Sequence, residues 1–167
     1  MYIIDNCTII GESTGVIKDG CIHVEGRMIT YVGEAANAPD AAGKQRIDAG
    51  GRIAMPGLIN THTHSSMVLF RGAADDMNLQ QWLETRINPL ESKLTESSVY
   101  WGSMLAIAEM IRGGTTAFND MYFMTPQTVR AVDESGISAI LTHCLTCGPD
   151  DTSVATAVLK QCIAFCP

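Results

Sequence analysis

Met55-Pro56-Gly57-Leu58-Ile59-Asn60-Thr61-His62-Thr63-His64 is the stretch on which the reading of this chain turns. A Pro-Gly pair punctuates it, a short apolar run follows, and two histidines close it at a spacing of two. In a β-strand successive side chains point to opposite faces, so His62 and His64 face one way and Thr63 the other. Both imidazoles can then reach one ion. Neutral imidazole is the commonest nitrogen ligand for zinc and also suits iron and nickel, which makes such a pair a pre-shaped half-site. Taken alone, His-x-His is equally compatible with two ordinary polar residues at a strand end. Its setting adds weight: a turn before it, an apolar strand leading into it and a helical pattern after it mark the start of a β/α unit.

Downstream, strands alternate with helices. Leu58–His62 is the first expected strand, followed by a short helix over Leu79–Ile87. A long helix is expected over Thr95–Arg112, with Thr95 as N-cap, Glu96 in the first turn, Arg112 in the last and Gly113-Gly114 as the stop. Trp101, Met104, Leu105, Ala108 and Ile111 fall at helical spacing and are expected to face the core. Thr115–Phe118 is the second strand. Thr125–Ser135 is a helix capped by Thr125, with Pro126 at its first position and Gly136 at its end, and Ile137–Leu141 is the third strand. A last helix is expected over Asp151–Phe165. Such repetition argues for parallel strands joined by right-handed crossovers.

Upstream, residues 1–55 read as short strands separated by turns: Tyr2–Ile4, Thr8–Ile10, Cys21–Val24, Met28–Val32, Arg46–Asp48 and Arg52–Ala54. Gly26 stands where a tight turn needs positive φ, so residues 21–33 form the clearest hairpin. His23 falls in that hairpin and reads as a half-exposed strand histidine.

The composition is that of an ordinary globular chain: 167 residues, 46% hydrophobic and 17% charged. A net charge of -7, with no cluster of Lys and Arg, disfavours nucleic-acid and anionic-membrane surfaces. The N-terminus carries no basic region followed by an apolar run, and the expected location is the cytoplasm. With that location, the six cysteines are expected to be reduced thiols.

Pro56–His64, Arg71-Gly72-Ala73-Ala74-Asp75-Asp76, Trp82-Leu83, Pro89-Leu90-Glu91, Ala106–Thr116 and Phe118–Tyr122 together resemble the amidohydrolase superfamily. Within it, the similarity is to the branch holding S-adenosylhomocysteine and methylthioadenosine deaminases and the triazine chlorohydrolases. The resemblance implies an α/β fold: the first three β/α units of an incomplete (β/α)8 TIM-type barrel over 56–167, preceded by a small, partial β-sandwich subdomain over 1–55. A barrel of this type needs about 250 residues and eight strands, so the chain is expected to be an N-terminal fragment whose uncovered faces favour poor solubility or homo-oligomers. It further implies one divalent metal, zinc, with iron or nickel as alternatives, held by His62 and His64, and a small-molecule substrate, a nucleoside or related heterocycle. Trp82 and Glu91 match substrate-pocket positions, the glutamate accepting from ribose hydroxyls. The remaining ligands and the general base come from later strands in this family, so no catalytic residue is assigned in this chain and no turnover is expected from it alone. The complete form is expected to deaminate an adenosine-type nucleoside; triazine hydrolysis and guanine or cytosine deamination are the alternatives on the same scaffold.

Two further groups merit a place. Asp120, at the end of the second strand, is a candidate acceptor for the second N–H of a ligand histidine, with capping or loop hydrogen bonding as the alternative. His143, beyond the third strand, falls on the side where barrel active sites gather but is not counted a ligand. A competing metal module, Cys144-x2-Cys147 with Cys162-x3-Cys166, approaches a four-cysteine zinc site, although its second pair is one residue too wide and lies in a helical pattern. A chain of that kind would be a zinc-binding remnant without activity, and a third reading is a non-catalytic remnant that binds other subunits through its uncovered faces.

Overall fold

Pro56 and Gly57 fall at the division between two compact units, Met1–Pro56 and Gly57–Pro167. The computed structural model describes residues 2–144 and 152–165. None of its described helices is long and apolar enough to cross a membrane.

The first unit is a single five-stranded sheet. Strands β1 (Tyr2–Gly11), β2 (Gly15–Glu25), β3 (Met28–Glu34) and β4 (Gln45–Asp48) lie in the order β3-β2-β1-β4, and β5 (Ile53–Ala54) pairs with β1. The β2–β3 hairpin turns through Gly26 at φ +59°, the conformation for which glycine carries no steric cost. Where the sequence suggests two short strands, β1 is continuous: Asn6 at φ +54° absorbs a bulge between Ile4 and Cys7. Ile3, Cys21 and Ala41 form the core. His23 is not half-exposed but buried, because β2 alternation places it with Cys21 on the core face, where its ring meets Tyr31 at 5.3 Å. Cys7 and Cys21 are reduced and buried, and burial first, then the hydrogen bond to Asp5, pushes the Cys21 thiol up to about 11.

The second unit is built on three parallel strands in sequential order, β6 (Leu58–Thr63), β7 (Thr115–Tyr122) and β8 (Ser138–His143). Between β6 and β7 run a 3-10 segment over Ser65–Phe70, a broken helix and α3 (Glu96–Arg112). The broken helix comprises α1 (Leu79–Trp82), a π-helical turn over Leu83–Ile87 and α2 (Asn88–Glu91). Helix α4 (Thr125–Ser135) joins β7 to β8, and α5 spans Thr152–Phe165. Thr95 caps α3 by accepting from the Ser98 N–H at 3.1 Å, and Gly136 ends α4 at φ +74°, both as expected. Thr125 does not cap α4. Met124, at φ +51°, takes the cap position, which frees the Thr125 hydroxyl for another partner.

The core of this unit is Tyr100, Ile107, Phe118, Ala131 and Ile137, with Met104 packed against it as expected. The rest of the expected α3 face is wrong. Trp101, Leu105, Ala108 and Ile111 are exposed, whereas Gly102, Ser103 and Ala106 are buried. The helix is apolar on more than one side, and its small residues choose the contact. A Cβ on Gly102 would stand 2.8 Å from the Ser66 carbonyl oxygen, so only glycine allows this approach.

Candidate metal centre

His62 is the penultimate residue of β6 and His64 lies just past its end. Thr63 turns to the other side, where its hydroxyl donates to Asp120 Oδ1 at 2.7 Å. The two imidazoles therefore share a face, as the spacing of two requires. Their ring centres are 5.2 Å apart at an interplanar angle of 77°. Two imidazoles on one tetrahedral ion, with bonds of about 2.1 Å, hold their centres roughly 5 Å apart, so the donor set fits half of a metal site. His62 is exposed and His64 half-buried.

His64 Nδ1 lies 2.6 Å from the backbone oxygen of Met121. A carbonyl only accepts, so Nδ1 is the donor, and in the neutral ring the lone pair is then on Nε2, the form a metal ligand needs. This is the acceptor expected for a ligand histidine, but it is Met121 rather than Asp120. The Asp120 carboxylate instead receives Thr63, the Ser65 N–H at 2.7 Å and the Ser65 hydroxyl at 3.0 Å. Ser65 continues to Ser103 on α3 at 3.3 Å, and Ser103 to Thr128 on α4 at 3.3 Å.

Glu91, at the end of α2, is half-buried and accepts the Tyr122 hydroxyl at 2.8 Å on Oε1. Burial foremost, then this bond, pushes the Tyr122 phenol well above its ordinary value. The Tyr122 ring lies 6.0 Å from that of His64, so Glu91 is linked through one side chain to His64. Trp82 is half-buried on α1. His143 is half-buried, its Nδ1 2.7 Å from the hydroxyl of Thr125 at the start of α4. Among the described residues, no three or more His, Cys, Asp or Glu side chains gather where they could hold an ion. Of the cysteine module, Cys147 and Cys166 lie outside the described residues, as does the Cys162 side chain.

Residues 53–164 match the amidohydrolase family. The chain belongs to that family. A 5-methylthioadenosine/S-adenosylhomocysteine deaminase of Symbiobacterium thermophilum is 48% identical over 126 residues, covering 75% of this chain and 29% of the relative. Among solved structures, a zinc-bound adenosine deaminase from Xanthomonas campestris aligns with a TM-score of 0.70 at 32% identity, over 83% of this chain and 33% of that one. A triazine hydrolase from Arthobacter aurescens aligns with a TM-score of 0.84 at 22% identity, over 98% of this chain and 41% of that one. The chain thus spans about a third of the length of the amidohydrolases it matches, and its mixed α/β fold is similar to theirs.

Within this amidohydrolase chain, the sequence singled out the two histidines, Glu91 and Asp120 as candidates, but not the contacts that join them. Tyr122, Ser65, Ser103 and Thr128 are single hydroxyl residues scattered over 64 positions. No local spacing joins them. The one available signal was β7 alternation, which puts Asp120 and Tyr122 on the same side as Phe118 and so under the helices.

Proposed function

We propose that this chain contributes the first two metal ligands, His62 and His64, of an enzyme that hydrolytically deaminates an adenosine-type nucleoside such as methylthioadenosine or S-adenosylhomocysteine. The observation that carries the reading is the histidine pair itself: rings 5.2 Å apart on one face, with His64 held by Met121 in the tautomer that presents Nε2. The name of the Symbiobacterium relative supports the substrate class, and the zinc in the Xanthomonas structure supports zinc as the ion. A bound divalent ion lowers the pKa of its water to about 7 and so makes hydroxide available at neutral pH. Glu91 uses Oε1 to hold Tyr122, and its other oxygen accepts from a substrate hydroxyl. Trp82 offers an aromatic face to the substrate ring. In this reading the three parallel strands open a (β/α)8 barrel over 56–167, and residues 1–55 contribute to a small β-sandwich.

The test is twofold. Zinc titrated into the chain should bind weakly, as expected of two ligands, and binding should vanish in the His62→Ala, His64→Ala double variant. A protein carrying this chain through the full length of its relatives should release ammonia from methylthioadenosine, and the chain alone should not. Zinc binding indifferent to both histidines, or ammonia release that survives their loss, contradicts the proposal.

A further inference from the structure

Asp120 is 3% exposed, in a sheet layer where Phe118, two residues earlier, fills the same side with an apolar ring. A carboxylate in such a place is retained only with its hydrogen bonds made. All three donors it receives come from residues 63 and 65, the immediate neighbours of His64 on either side. Met121, the next residue of β7, takes the ring N–H of His64 on its backbone carbonyl oxygen. Two successive residues of one strand thus hold His64, Asp120 through the residues on either side of it in the chain and Met121 through its ring N–H. The helix-side hold is itself braced, since Ser65 is hydrogen-bonded to Ser103 and Ser103 to Thr128, all buried.

We propose that Asp120 is a positioning residue for the metal half-site, acting through Thr63 and Ser65 rather than by accepting from an imidazole. Thr63, the central residue of His-x-His, is in this account a working part of the site. The inference rests on the proposed metal-binding role of His62 and His64.

The experiment compares the full chain with Asp120→Asn, Thr63→Val and Thr63→Ser by cobalt(II) and zinc titration, by histidine side-chain 15N spectra without metal, and by circular dichroism. Asp120→Asn and Thr63→Val should keep the wild-type fold and lose about 10- to 100-fold in metal affinity, the range for outer-shell partners. His64 should then no longer rest in the single Nδ1–H tautomer. Thr63→Ser, which keeps the hydroxyl, should restore both. A folded Thr63→Val with wild-type affinity and an unchanged His64 tautomer overturns the proposal, even if Asp120→Asn does not fold. If the wild-type chain binds no ion, the metal reading fails. The metal-free tautomer then still decides whether Asp120 and Thr63 fix His64.

Discussion

The two faces of the β6–β7–β8 sheet have the same strands and opposite characters. On one, Phe118, Ala139 and Leu141 pack with α3 and α4 residues into the core, and every polar group named there has a partner: Asp120 with Thr63 and Ser65, Tyr122 with Glu91, His143 with Thr125. On the other, Asn119, Met121 and Ile140 share a side with His62 and His64, and Ile140 is 70% exposed. The closed face stabilises the unit. The open face leaves two imidazole nitrogens accessible. A sheet that divided these tasks less cleanly would bury its ligands or expose its core, so the alternation of β7 and of His62, Thr63 and His64, past the register break that follows Asn60 in β6, is what lets one short stretch serve both ends.

That contrast can be broken by substitution. The largest effect is expected from Phe118→Ala on the closed face, about 3–5 kcal/mol by chemical denaturation, against a change within about 0.5 kcal/mol for Ile140→Ala on the open one. Equal costs for the two would erase the distinction. Next comes Gly102→Ala, which drives a methyl against the Ser66 backbone at 2.8 Å and should cost about 1–3 kcal/mol; a neutral result would mean that α3 is free to withdraw from residues 65–70. Thr95→Ala removes the cap of α3 and should cost about 1 kcal/mol in the same assay. Smallest is His62→Ala: stability within about 0.5 kcal/mol of the parent, with zinc binding lost. A large stability loss there would make His62 part of the scaffold rather than a ligand.

Much of this was legible beforehand. Pro56-Gly57, the run into His62, Thr95, Gly113 and Gly136 are local signals, because turns and caps are determined within a few residues, and the strands and helices fell where they indicate. The α3 face was not legible, because Trp101, Leu105 and Ile111 are as apolar as the residues that are buried; the choice was made by how closely Gly102 lets the backbone approach Ser66. His23 was misjudged for a similar reason, since nothing local says which side of β2 will be covered. At the site, the histidines announced themselves by their spacing. Their supports did not, because a hydrogen-bond chain through Thr63, Asp120, Ser65, Ser103 and Thr128 exists only after the strands and helices have come together.

The most direct test of the histidine half-site is X-ray absorption of zinc bound to the chain. The account predicts a first shell of nitrogen and oxygen at about 2.0–2.2 Å with imidazole scattering behind it, absent from the His62→Ala, His64→Ala double variant. Sulfur at about 2.3 Å, unchanged in that variant, would place the ion on cysteines and contradict it.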